Sequence, residues 1–156
     1  MTPFYSTEAR VLNLRVAAHR WAGTPFHLRA KLLGSGVDCV NLAAALYEAS
    51  GFNVAFDFPA YTLQEGQNAE RSKVIDWLDA CPRFIAVAPP DPSSIQPGDL
   101  LCFRVGRGVE HHVGVYIGGE QSLFANSMIR YGVRLLSLTA PQWRKMLTAA
   151  FRPIEP

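Results

Sequence analysis

Charge is scarce in this chain. Of its 156 residues only 18% are Asp, Glu, Lys or Arg, against ~25% in an ordinary soluble domain. The apolar set from Ala to Cys makes up 49%, which excludes disorder as a global description. Neither sign dominates: 15 basic less 13 acidic residues leave +2, too little to point to nucleic acid. Three cysteines are an odd number, so a full disulfide framework is excluded and at least one thiol is left over. No uncharged apolar run approaches the ~20 residues of a membrane-spanning helix; the longest, Cys39 to Tyr47, has the length of a buried helix. A secretory signal is also missing, because Pro3, Glu8, Asn13, Arg15 and Arg20 interrupt the first apolar stretch. The expectation is a chain made in the cytoplasm, with no membrane span and no nucleic-acid partner. Repeats and low-complexity segments are lacking, and the length suits one domain, 1–156.

What is present divides into a helical first half and a strand-rich second half. Residues 7 to 22 read as an amphipathic helix, with Val11, Leu14, Ala18 and Trp21 on one face, Ser6 or Thr7 as cap and Gly23 as stop. Residues 24 to 36 read as basic and irregular, either an ordinary solvated loop or a face for an acidic polymer. A second helix, about Asp38 to Ser50, is apolar nearly all round and belongs at the centre of the domain. Phe52, Phe56, Phe58 and Tyr61 either join the core or line a groove, and a third helix spans roughly Asn68 to Ala80. Strands are expected at Phe84–Val87, Leu100–Val105, Glu110–Ile117, Ser122–Asn126 and Val133–Leu138, then a helical turn near Pro141 and a last strand at Leu147–Phe151. Helices first and strands afterwards indicate an α+β fold, a central buried helix packed on an antiparallel sheet.

Cys39 opens the most apolar helix. A thiol in a first helical turn meets unpaired backbone N–H groups and the positive end of the dipole. Both favour thiolate, the nucleophilic form, and the same N–H groups can hold a developing oxyanion. The competing account of Cys39 is a buried structural cysteine. Cys102, mid-strand, reads as core, and Cys81 as incidental. Of the four histidines, His112 shares a strand face with Gly114 and Tyr116. Gly114 would leave a side-chain-free gap through which His112 meets the start of the central helix. His111 is the runner-up, and an edge histidine without a role remains an alternative.

The segments GTPF (23–26), GVDC (36–39), QPGDLLCF (96–103) and HVGVYIGG (112–119) occur in a fixed order. Together they resemble the NlpC-type cell-wall cysteine peptidases, a branch of the papain-like fold, over about residues 10 to 152. The tail GVRLLSLTAPQW (132–143) looks most like the phage-associated branch. The resemblance implies that Cys39 is the nucleophile and His112 its general base. A third polar group on the following strand would orient the imidazole. The implied substrates are peptidoglycan stem peptides, cleaved through an acyl-enzyme without metal or cofactor. A wall hydrolase without a visible signal implies delivery by a phage tail or a secretion system.

Departures from the family pattern are specific. Asp38-Cys39-Val40-Asn41 stands where the family usually has Asp-Cys-Ser-Gly. Val40 cannot supply the serine that helps recognise a free amino end, whereas Asp38 remains for that task. Phe26 replaces a tyrosine near the site. Phe124 aligns with the family's orienting histidine, and Asn126, two residues on and on the same face, can take over; a backbone carbonyl is the alternative. Three functions follow: a thiol hydrolase of stem peptides, a papain-like acyltransferase or amidase on a non-wall amide, and a non-catalytic phage-tail or wall-binding module.

Overall fold

The structure is a computed structural model and describes residues 1–57 and 72–156. Helix α1 (Glu8–Trp21) starts where Thr7 accepts a hydrogen bond from the Arg10 N–H at 3.3 Å, and it buries Leu14, Ala17 and Ala18. Helix α2 (Cys39–Ala49) is capped by Asp38, whose Oδ1 accepts from the Asn41 N–H at 2.8 Å. Leu42, Ala43, Ala45, Leu46 and Tyr47 are all buried along it. The near-uniform apolarity of its sequence is thus spent on packing from several sides. Helix α3 (Lys73–Ala80) is capped by Ser72 and buries Val74 and Leu78. It was expected from Asn68; positions 68–71 lie outside the described residues, as do Phe58 and Tyr61.

The basic segment before α2 is not irregular throughout. Strands β1 (Lys31–Leu32) and β2 (Gly36–Val37) pair antiparallel, and Phe26 bridges Val37 in parallel. Two-residue strands are too short for alternation to show in a sequence.

The main sheet comprises β3 (Phe84–Ala86), β4 (Leu100–Phe103), β5 (His112–Gly118), β6 (Leu123–Met128), β7 (Gly132–Ser137) and β8 (Leu147–Pro153). Helix α4 (Pro141–Met146) precedes β8, with Pro141 at its first turn, where a missing N–H costs nothing. The strand order is β3-β8-β4-β5-β6-β7, with every neighbouring pair antiparallel. The α+β architecture, helices then an antiparallel sheet, is the one expected.

Both faces of the sheet are covered. Leu100, Cys102, Val113, Val115, Ile117 and Ala125 pack with α1, α2 and α3 in one core that includes Phe52, with Phe56 against it. Phe52 and Phe56 therefore belong to packing, not to a groove: Phe56 stacks between Tyr47 and Trp77 at ring distances of 5.8 and 5.2 Å. Leu101, Phe103, Tyr116, Phe124, Leu138 and Trp143 form a second core on the other face. In β4 the alternation Leu100/Cys102 against Leu101/Phe103 feeds the two cores in turn. The PGD turn ahead of β4 is locked: Arg152 makes a two-pronged bond to Asp99 at 2.9 and 2.8 Å, and Tyr47 donates to the Gly98 carbonyl at 2.8 Å. Gly98 has φ of 97°, and a Cβ there would fall 2.1 Å from the Tyr5 ring. Among the described residues no helix is long and apolar enough to cross a membrane.

Candidate active site

Three turns of sequence converge on the start of α2. Asp38 uses both carboxylate oxygens there: Oδ1 caps the helix, and Oδ2 accepts the Arg29 N–H at 2.7 Å. It thereby ties the 27–30 turn to the helix N-terminus. Ser127 of β6 donates to the Val37 carbonyl at 2.7 Å, which holds β2, and hence Cys39, against the sheet. Cys39 is 7% exposed. The β5–β6 ladder begins only at Val115↔Ala125. Upstream of it, main-chain groups at 111 and 113 face the thiol, which lies 4.0 Å from the His111 carbonyl and hydrogen-bonds the Val113 N–H. Phe26, half-buried, stands beside Val37, and Val40 packs against the core under α2.

His112 lies on the opposite side of β5. The face covered by α1 and α2 is that of Val113, Val115 and Ile117; His112 shares the other with Tyr116. The gap at Gly114 is accordingly not filled by the central helix, contrary to expectation. A Cβ at Gly114 would meet the Phe124 ring and the Ala125 carbonyl at 2.9 Å and the Asn126 Cβ at 3.4 Å. The close approach that glycine allows is made by β6, and it brings Asn126 to the imidazole. His112 Nε2 and Asn126 Oδ1 are 2.9 Å apart.

The orientation of the Asn126 amide assigns the tautomer. The Asn126 Nδ2 donates to the Arg134 carbonyl at 3.3 Å, which orients the amide and leaves Oδ1 as the acceptor toward His112. Nε2 then carries the proton, and Nδ1, nearer the main chain, holds the free lone pair. Asn126 is completely buried, so water does not compete for its amide. His111 is placed differently, its Nδ1 lying 2.9 Å from the Val109 carbonyl.

Electrostatics differ from the expectation of a ready thiolate. Burial pushes the Cys39 thiol up to about 12, and the charge of Asp38 adds to the rise. The N–H groups of Val113, Val40 and Cys39 pull it back, without overcoming desolvation. Burial pushes His112 down to about 4; the Asn126 bond works against that shift, and His111 reinforces it. At neutral pH the pair therefore rests as thiol and neutral imidazole. The helix N-terminus is present, yet the closed site around it determines the protonation state.

Sequence reasoning missed the aromatic side of the site. The His112 ring lies 5.9 Å from Phe103 and 5.8 Å from Trp143. A signal existed for Trp143, the last residue of the motif-bearing tail, but nothing in a linear pattern ties it to β5. All three cysteines are unpaired; Cys102 is buried mid-strand and Cys81 half-buried.

A cysteine that opens a buried helix and a histidine that begins a strand, on an antiparallel sheet preceded by helices, fit the papain-like α+β class. The NlpC/P60 family model matches residues 18–152, and the chain belongs to that family. It is 30% identical over 128 residues to a probable endopeptidase of Haemophilus influenzae, covering 81% of this chain and 65% of the relative. It is 27% identical over 132 residues to a gamma-D-glutamyl-L-lysine dipeptidyl-peptidase of Bacillus subtilis, covering 83% and 36%. A 60-residue stretch is 38% identical to the murein DD-endopeptidase MepS/murein LD-carboxypeptidase of Escherichia coli K12, covering 38% and 30%. The chain thus spans about two thirds of the first relative's length and about a third of the others'. The fold is shared with solved NlpC/P60 proteins of Bacillus cereus (TM-score 0.63, 22% identity, 93% of this chain and 40% of that one) and Staphylococcus aureus (TM-score 0.66, 19% identity, 100% and 45%).

Proposed function

We propose that this domain is a cysteine hydrolase that cleaves amide bonds in peptidoglycan stem peptides. The observation that carries the reading is the Cys39 thiol at the N-terminus of α2 against the main chain of His111 and Val113, the two residues that flank His112, whose imidazole bonds Asn126 so that Nδ1 is the free base. The relatives named for murein or for gamma-D-glutamyl-L-lysine peptides support the substrate class.

In the reaction, Nδ1 of His112 takes the thiol proton as Cys39 Sγ bonds to the scissile carbonyl carbon. Proton transfer coupled to attack suits a pair that rests neutral. The oxyanion is held by main-chain N–H groups at the start of α2, the Cys39 N–H among them. Collapse breaks the C–N bond, and His112 returns the proton to the leaving amine. Water, deprotonated by His112, then attacks the thioester, releasing the acid and the Cys39 thiol. Phe26 and Val40 border the substrate, and Asp38 acts chiefly through the helix start, both its oxygens being engaged by main-chain N–H groups. The resemblance of residues 132–143 supports a phage-associated role, with delivery to the wall by a phage tail or a secretion system.

Defined muropeptides incubated with the protein and resolved by mass spectrometry test this. Wild-type protein releases stem-peptide fragments; Cys39→Ala lowers turnover by at least about 10⁴-fold with the melting temperature preserved. Retained cleavage by Cys39→Ala overturns the proposal. The low exposure of the thiol favours, as a second reading, a wall-binding module; it would sediment with purified peptidoglycan and release no soluble fragment. An acyl group passed to an amine instead of water would indicate the acyltransferase.

A further inference from the structure

Trp143 is tied to His112 by more than adjacency. Its ring centroid lies 5.8 Å from the imidazole at an interplanar angle of 36°. It packs edge-on against Phe103 at 5.1 Å and Phe124 at 5.2 Å, and those two rings are 5.2 Å apart. Phe124, which the family resemblance aligns with an orienting polar residue, instead helps wall the imidazole, while Asn126 supplies the hydrogen bond.

The element carrying Trp143 is anchored to the strand it covers. The Arg104 N–H, at the end of β4, donates to the Met146 carbonyl at 2.9 Å, and Leu147 pairs with Phe103. Trp143 N–H and Arg144 N–H both return to the Ala140 carbonyl, at 3.1 and 3.0 Å. The backbone that carries the indole is therefore fixed relative to β4. Trp143 is 9% exposed, so it forms the outer wall of the cluster.

We infer that Trp143 is a positioning residue for His112: its indole excludes water from the His112–Asn126 hydrogen bond and so keeps Nε2 on Asn126 and Nδ1 free for the thiol. This inference rests on the hydrolase reading for its consequence in turnover, though not for its geometry. A hydrogen bond that water can replace no longer fixes a ring; one behind an aromatic wall does. The other charged and titratable groups of the surrounding elements do not supply that restraint. Arg104, just past β4, pairs with Glu110 at 3.0 Å. His111 immediately precedes β5; Arg134 of β7 holds Asn126 through its carbonyl; α4 carries Arg144 and Lys145, and α2 starts with Asp38 and Cys39. None but Asn126 is seen to bond the His112 ring among the described residues.

The test begins with wild-type protein. The His112 Nε2 proton is expected as a slowly exchanging resonance in ¹⁵N-labelled protein at neutral pH; its absence overturns the inference whatever the variants do. Trp143→Phe keeps an aromatic wall and is expected to leave that resonance in place, with kcat/KM on a muropeptide within about threefold of wild type. Trp143→Ala opens the wall. The resonance broadens by exchange, the acid limb of kcat/KM moves to higher pH, and kcat falls about tenfold with little change in KM. A Trp143→Ala protein with wild-type exchange and an unshifted acid limb overturns the inference. Because the exchange readout needs no turnover, an inactive wild-type protein would count against the hydrolase reading alone.

Discussion

Cys39 is surrounded by main chain and His112 by side chains. The thiol meets the His111 carbonyl, the Val113 N–H and the N–H groups of its own helix start. The imidazole meets Asn126, Phe103 and Trp143. A main-chain environment is set by where the helix begins, so neighbouring side chains can change without altering it. That is how Val40 and Asn41 can replace Ser and Gly while α2 still starts at Cys39. A side-chain environment is set residue by residue, and the His112–Asn126 contact requires the strand face, the glycine gap and the aromatic wall to agree.

The comparison can be broken first at the wall. Phe124→Ala removes a completely buried ring shared by Phe103 and Trp143. It is expected to cost about 3–5 kcal/mol in urea unfolding, and an effect below 1 kcal/mol would show that the wall is not packed as described. Acid comes next. His112 is held at about 4 in the fold, below its ordinary 6.5. The unfolded chain therefore binds the extra proton first, and stability falls as pH drops from about 6.5 to about 4. The full shift corresponds to roughly 3 kcal/mol. His112→Gln should flatten this dependence; a slope unchanged in the variant would reassign it. Activity should show an acid limb near pH 4, where a protonated imidazole can no longer take the thiol proton.

Asn126→Ala sharpens the side-chain half. Losing the orienter should lower kcat about 100-fold, about 2.7 kcal/mol in the barrier, with Asn126→Asp restoring part of it in muropeptide assays. A rate within twofold of wild type would mean that a carbonyl orients the ring. The main-chain half should respond least: Asp38→Ala removes the cap and the Arg29 tie and is expected to cost about 1–2 kcal/mol, read by thermal melting. If it equals the loss at Phe124, the division between main-chain and side-chain construction fails.

Much of this layout is legible in the residues. Helix α2 announces itself by its apolar run and by Asp38 before Cys39. The strands follow from alternation and glycine turns, and Asn126 follows from period two once Phe124 is seen to be unsuited. The side on which α2 packs was not legible. Val113 to Gly118 are all buried, with only His112 half-buried, and a strand covered on both faces loses the apolar–polar alternation that would tell its faces apart. The hairpin at 31–37 is too short to leave a pattern, and the neighbourhood of Trp143 joins it to Phe103 and His112, which are far from it in the chain.

The sequence by itself determined that a cysteine would open a central helix, that a histidine would begin a strand, and that a polar side chain two residues past Phe124 would share its face. Helix caps and strand periodicity are local, and they survive whatever packs on them. Only the tertiary structure decided that β6 fills the gap at Gly114 and that burial leaves both Cys39 and His112 neutral. Desolvation and ring contacts depend on the whole surroundings of a group, and those exist only after distant strands have been brought together.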